Sequence, residues 1–297
     1  MVDIPHVSVH RLHERLSFSE PLSYPASSLS KPLTEWNMEE DDAPILRYLY
    51  RNFKPHRHLE YGTWQGMGAL YCLEECDATV WTINLLEGEA QSDGNWTYCH
   101  VLGEHEKIPL WSREQSFCDK QGNKATYYQS DSLGFIGRKY RERKFSHRVC
   151  QIYCDSRKWD TNNYCKDYFD SALIDGGHQI GVVINDTFKA LELLRPGGMI
   201  MWHDFCPNQE VLDTFQTSEN VYNAITLCWS QIGQNAKDLF WIEPSYILLG
   251  IISDSSKKTI FTGKLSEIPL LEGEMNKVNN TEKILVHPDN EYLWTWI

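Results

Sequence analysis

Apolar residues along this chain fall into short runs that stop abruptly at polar or glycine clusters, with amphipathic stretches at helical spacing between them. The most legible stretch runs from Phe169 to Pro207. Ser171–Ile174 is a short apolar run that breaks off at Asp175-Gly176-Gly177, as a strand does where it meets a loop. From Val182 onward, apolar positions recur at helical spacing (Val183, Phe188, Ala190, Leu191, Leu194), and Arg195-Pro196-Gly197-Gly198 ends the pattern. Gly198–Trp202 is a second apolar run, closed by His203-Asp204. Two buried strands joined by a crossover helix form a right-handed parallel unit, so both polar clusters reach the same carboxyl edge of a sheet. That edge is where open α/β sheets take their ligands.

The same patterning predicts the rest of the order. Residues 1–37 are rich in Ser, Pro and His without a period, and read as an extended arm or cap. Met38–Phe53 reads as one helix, with Glu39, Glu40, Asp41 and Asp42 in a first turn that suits the macrodipole. Strands follow at His58–Tyr61, Val80–Leu85 and Val149–Tyr153, and a helix runs through Leu70, Leu73 and Cys76. Residues 86–146 are long for one connection and read as an insertion, a lid or specificity loop. Its basic run Arg138–Lys144 reads as a solvated helix face. Residues 208–232 should hold a helix. Leu239–Ile242 and Tyr246–Ile252, split by Glu243-Pro244-Ser245, read as an antiparallel hairpin at a sheet edge, where a proline is tolerated. The outcome is an α/β, Rossmann-like, seven-stranded and mostly parallel sheet over residues 38–252, with a tail at 253–297 whose aromatic end, Tyr292–Trp296, docks on the domain.

Composition narrows this picture. A net charge of −13 over 297 residues argues against a general nucleic-acid binder. No apolar run reaches membrane-spanning length and no signal-peptide core opens the chain, so a cytoplasmic protein with no membrane partner is expected. Nine cysteines, an odd count without paired knuckles, fit reduced thiols better than zinc. A homo-oligomer stays open.

The chemistry starts at Glu60-x-Gly62-Thr63-x-x-Gly66-x-Gly68, a glycine turn between a strand and a helix. Its spacing is not the Gly-x-Gly-x-x-Gly of dinucleotide sites, and a carboxylate ahead of the turn would repel a pyrophosphate. A neutral or cationic cofactor fits better, which disfavours a nicotinamide enzyme.

At these residues the chain resembles the class I S-adenosylmethionine-dependent methyltransferases, in the branch related to macrolide-sugar O-methyltransferases. The matching segments are EYGTWQG (60–66), TIN (82–84), CDS (154–156), LIDGGH (173–178) and LLRPGGMIMWHD (193–204), in order over roughly residues 55–252. The resemblance implies S-adenosylmethionine as cofactor and a small-molecule hydroxyl, of a sugar or natural product, as acceptor. It implies that Glu60, Tyr61, Gly62, Thr63 and Gly66 wrap the methionine part and that Asp175 adjoins it. Asn84, where the family usually has an acid, would meet the ribose; Asp155 and Ser156 would sit beside the adenine. Asp175, His203 and Asp204 fall where metal-dependent members present ligands for Mg²⁺ or Mn²⁺, although many have a carboxylate in place of His203. His178, three residues after Asp175, takes the position of a base, with Asp175 and His203 as its catalytic neighbours. Asp186 reads as a structural hydrogen-bonding residue. Two alternatives accompany this reading: a metal-free enzyme with His178 or His203 as sole base, and a cofactor-binding scaffold or partner subunit without turnover.

Overall fold

The computed structural model describes residues 2–85 and 136–253, together with the backbone of the strands Glu114–Cys118, Lys124–Tyr128 and Leu285–Val286. In chain order the strands are β1 His6–Ser8, β2 Arg57–Tyr61, β3 Thr79–Asn84, β4 Glu114–Cys118, β5 Lys124–Tyr128, β6 Val149–Tyr153, β7 Phe169–Ile174, β8 Leu194–Trp202, β9 Ala236–Glu243, β10 Leu248–Ile252 and β11 Leu285–Val286. The helices are α1 Leu12–Leu16, α2 Ala26–Leu29, α3 Met38–Asp41, α4 Ala43–Phe53, α5 Met67–Glu75, α6 Arg138–Glu142, α7 Ile180–Leu193, α8 Gln209–Thr214, α9 Gln216–Leu227 and α10 Trp229–Asn235. One sheet runs β1-β9-β10-β8-β7-β2-β3-β6-β11, and β4-β5 is a separate hairpin.

The seven expected strands are its centre. β2, β3, β6, β7 and β8 are mutually parallel, and β10 runs antiparallel to both β8 and β9. Every residue of β7 is buried. A strand covered by helices on both faces carries a continuous apolar run rather than an alternating one. Helices α4 and α5 pack on one face through Ile45, Leu49, Ala69 and Leu73, while α7 and α9 cover the other through Val183, Leu191, Val221 and Ile225. β2 pairs with β3 on one side and β7 on the other, so the strand order reverses between β2 and β7, and a crevice opens at their carboxyl ends.

Four expectations change. The N-terminal arm adds a strand: β1 lies parallel to β9, so the hairpin is not the edge of the sheet. The expected helix over 38–53 breaks at Asp42, because Pro44 starts a new helix in its first turn and Asp42 turns into the core. The expected helix within 208–232 splits into α8, α9 and α10, with Asn208 capping the first by accepting from the Val211 amide at 3.2 Å. The basic run is not only a solvated face, since Tyr140 within α6 is buried. Most of the expected lid at 86–146, and the docking of Tyr292–Trp296, lie outside the described residues. No described helix is long and apolar enough to cross a membrane.

Candidate active site

The glycine turn leaves β2 at the crevice. Gly62 has φ +94°, and a Cβ there would come within 1.9 Å of the Asp175 carbonyl oxygen at the end of β7. Only glycine lets the two strand ends approach this closely. The backbone ties the rim together: Asp175 N donates to Tyr61 O at 2.9 Å, Gly62 N to Ile83 O at 2.9 Å, and His203 N to Ile174 O at 3.0 Å. Gly66, at φ +85°, faces the Tyr140 ring of α6, 2.6 Å from where its Cβ would stand.

Glu60 does not face the crevice. It is buried beneath the turn, accepts from the Thr82 hydroxyl at 2.5 Å, and its other oxygen lies 2.2 Å from a Cβ placed on Gly68. Burial pushes its pKa up to about 8. Thr63 is buried beside it, as is the Tyr61 ring. Asn84, at the end of β3, accepts from the Trp64 amide at 3.0 Å and donates to the Leu85 carbonyl at 2.8 Å, so it braces the turn.

After β6, Asp155 pairs with Arg157 through Nε at 3.0 Å and Nη2 at 2.8 Å; although burial opposes it, Arg157 holds the Asp155 pKa below the usual range. Lys189 of α7 donates to the carbonyls of Ser156, Arg157 and Trp159 at 2.6, 3.0 and 2.7 Å, anchoring this loop. Asp186 is buried, hydrogen-bonded by Asn185 Nδ2 at 2.8 Å and by the Ser156 side chain, and burial pushes its pKa up to about 7.

The polar cluster at the ends of β7 and β8 converges. His178 Nε2 lies 2.6 Å from Asp204 Oδ2, and His203 Nδ1 lies 3.1 Å from Asp175 Oδ1 and 3.6 Å from Asp204 Oδ2. Asp204 adopts φ +59°, a left-handed conformation that aspartate tolerates better than most residues. The far side of His203 meets a residue the sequence reading assigned to a helix turn: its Nε2 is 3.2 Å from Asp42 Oδ2. Asp42 is wholly buried and also accepts from the Tyr246 amide at 3.2 Å. Three carboxylates and two imidazoles therefore form one cluster, graded from the interior outward. The His203 and Asp204 side chains are 9% and 8% exposed, against 37% for His178 and 32% for Asp175.

Mutual charge governs this set. Burial works against a charged His203, yet Asp175 and Asp204 hold its pKa well above the ordinary value. Burial likewise opposes charge on His178, and Asp204 raises its pKa. Asp204, despite burial, is held far below the carboxylate range by His178 and His203. Asp42 is pushed up by burial, with His203 as its main relief.

Both ring nitrogens of His203 face carboxylates, whereas ligand atoms of Asp175, His178 and Asp204 all lie within 4.8 Å of one another.

Residues 59–205 match the family model of a methyltransferase domain, from β2 to the residue after Asp204. The chain carries a methyltransferase domain. The matched span holds the glycine turn and four members of the polar cluster, while Asp42 precedes it. Solved structures similar to the chain include an O-methyltransferase from Bacillus cereus in complex with S-adenosylhomocysteine, at 15% identity and TM-score 0.45, over 76% of this chain and 86% of that one. A Podospora anserina methyltransferase, also bound to S-adenosylhomocysteine, is similar at 13% identity and TM-score 0.44 over 72% and 78%. An O-methyltransferase of tomaymycin synthesis from Streptomyces achromogenes, in complex with S-adenosylmethionine, is similar at 14% identity and TM-score 0.38 over 82% and 87%. No curated protein matches the chain significantly.

Two residue groups of the methyltransferase domain and its flanks escaped the sequence reading. Asp42 sits in an acidic run that imitates a helix start; its one local signal is Pro44, which marks a new first turn right after it. Tyr140 and Gln151, which support the glycine turn from below, lie within the basic run expected as a solvated helix face and within the expected strand Val149–Tyr153, and neither carries a local signal of the other.

Proposed function

We propose that this methyltransferase domain moves the methyl group of S-adenosylmethionine onto a hydroxyl of a small molecule, a sugar or a natural product. The observation that carries the reading is the convergence of a glycine turn without basic residues and the Asp175–His178–Asp204 cluster at one strand-order reversal. The chemistry of the donors suits this cofactor: Asp175 and Asp155 flank the crevice, and the turn from Gly62 to Gly66 carries no cation for a phosphate. When bound, S-adenosylmethionine supplies an electrophilic methyl group on a positively charged sulfur. Gly62, Thr63 and Gly66 shape the methionine side, Glu60 and Tyr61 support them from beneath, Asn84 holds the ribose side, and Asp155 and Ser156 stand at the adenine side.

The acceptor end belongs to His178. Its Nε2–H donates to Asp204, which selects the tautomer whose Nδ1 accepts the hydroxyl proton. Asp204 in turn stabilises the imidazolium that results. His203 lies between Asp175 and Asp204 and cancels the repulsion that would otherwise push the two carboxylates apart. Fixing the hydroxyl in line with the methyl group supplies the rest, because orientation replaces a bimolecular encounter. Residues 2–42 act as a cap that delivers Asp42 to His203.

A second reading is favoured by the ligand atoms of Asp175, His178 and Asp204 lying within 4.8 Å. Two carboxylates and an imidazole suit Mg²⁺ or Mn²⁺, which when bound stabilises negative charge on the acceptor oxygen. His178 is then a ligand and cannot be the base.

The test begins with thermal shift. S-adenosylhomocysteine should raise the melting temperature and NAD should not, since a ligand of the native state stabilises it; equal stabilisation by NAD sinks the cofactor assignment. Transfer of labelled methyl to a panel of hydroxylated sugars and phenols, with and without a chelator, separates the two readings. Chelator-resistant transfer supports His178 as base, and transfer restored only by Mn²⁺ or Mg²⁺ supports the cation.

A further inference from the structure

Beneath the glycine turn, polar residues occupy positions where a sheet covered on both faces would ordinarily be apolar. Glu60, Thr82 and Gln151 are register partners across β2, β3 and β6, and all three are buried. They belong to one chain of hydrogen bonds that starts on α6. The Tyr140 hydroxyl donates to Gln151 Oε1 at 2.8 Å, and Gln151 Nε2 donates to Thr63 Oγ1 at 2.8 Å and to the Thr82 carbonyl at 3.1 Å. Thr63 Oγ1 lies 2.7 Å from Thr82 Oγ1, and Thr82 donates to Glu60 at 2.5 Å. A phenol at the amide oxygen leaves the amide nitrogen to donate, and while Thr82 donates to Glu60 it accepts from Thr63. The relay ends at Glu60, whose second oxygen is buried without a hydrogen-bond partner among the described residues.

Backbone contacts join the same two segments. Gly137 N donates to Trp64 O at 2.7 Å and Lys139 N to Gln65 O at 2.9 Å, while the Tyr140 ring fills the space beside Gly66. Helix α6 is thus latched to the turn by its main chain on top and by a side-chain relay below. We propose that Tyr140 is a positioning residue for the cofactor loop, acting through Gln151, Thr63 and Thr82 on the turn from Gly62 to Gly66. The proposal deepens the reading above and rests on it for the identity of the cofactor. It assigns to α6 a task in cofactor binding that the matched family motifs leave to the turn itself.

The experiment compares the wild type with Tyr140→Phe, which removes the hydroxyl and keeps the ring against Gly66. Amide hydrogen exchange of the peptide spanning 62–67 is measured without cofactor, and S-adenosylhomocysteine affinity by calorimetry. The variant should exchange this peptide roughly tenfold faster and bind the ligand roughly tenfold more weakly, the loss expected when a buried amide loses its partner. Exchange in β7 and β8 should not change. In Tyr140→Phe/Gln151→Leu the donor to Thr63 and to the Thr82 carbonyl is removed as well, so loop protection and affinity should fall below those of Tyr140→Phe while β7 and β8 keep their protection. A role in packing alone predicts instead that exchange rises across β2, β3 and β6 with no selective effect on 62–67. Wild-type exchange and affinity in Tyr140→Phe overturn the proposal, as does full recovery in the double variant. Failure of the wild type to bind S-adenosylhomocysteine overturns the cofactor reading instead, and the ligand-free exchange then still decides whether Tyr140 holds the turn.

Discussion

Two buried polar groups stand at the carboxyl ends of the parallel strands, and they solve the same problem in opposite ways. The set Asp42, Asp175, His178, His203 and Asp204 is held by charge: each imidazole sits within 3.2 Å of a carboxylate, and its outer members reach solvent. The set Tyr140, Gln151, Thr63, Thr82 and Glu60 is a relay of hydrogen bonds between neutral groups that ends on one acid, Glu60, which burial pushes towards neutrality. Burial is costly for an unpaired charge but mild for a satisfied neutral group. On the function proposed above, the first set holds charge where a proton is exchanged and the second holds the backbone of the turn, so chemistry and positioning divide between the β7–β8 rim and the β2–β3–β6 rim.

The largest effect is expected at Asp204. Asp204→Ala leaves two imidazoles facing Asp175 and Asp42 alone, and should abolish methyl transfer. It should also cost about 3–5 kcal/mol in urea unfolding, as for other buried pairs that lose one partner; if the folded variant still binds S-adenosylhomocysteine, the division between the rims holds. His178→Ala should lower turnover by roughly a hundred- to ten-thousand-fold with the cofactor affinity intact. In the wild type, turnover should rise with pH through the raised His178 pKa, because a base must first lose its proton. In the variant the rise should move to the pH range where the acceptor hydroxyl itself ionises, and pH–rate profiles of the two decide it. Next comes Gly62→Val. Its branched side chain meets the Asp175 carbonyl rather than empty cofactor space, so the expected result is about 3 kcal/mol of destabilisation together with lost binding. Retained stability would show that the rims can separate.

Two smaller effects sharpen the contrast. Asp42→Asn should reduce turnover about tenfold, the worth of one hydrogen bond to a charged group, and leave S-adenosylhomocysteine affinity unchanged in calorimetry. The effect of Glu60→Gln should be read in the pH dependence of stability. The folded-state pKa of Glu60 is raised from 4.5 to about 8, so the folded chain holds a proton the unfolded chain releases. Stability then falls as pH rises through that window, and the glutamine variant should flatten the fall in melting temperature by a few degrees. Asp186, pushed up to about 7, contributes a slope of the same sign that remains in the variant. Identical slopes for wild type and variant would place a charged Glu60 in the folded protein.

Everything governed by local period is legible along the chain. Seven strands, the crossover helix α7 and the delivery of Asp175, His178, His203 and Asp204 to one edge follow from apolar runs and from the parity of a right-handed parallel unit. The partners of those residues were another matter. Asp42 meets His203, and Tyr140 meets Gln151 and, through it, Thr63, across separations in the chain that no period spans. Glu60, Thr82 and Gln151 form a row only because β2, β3 and β6 lie side by side in one register, and a slip of one residue would turn each to the other face. Strand order and register are settled by how helices and sheet close over a common core. Which nitrogen faces which carboxylate, and which carboxyl lies buried, therefore follows from that closure and not from the local pattern.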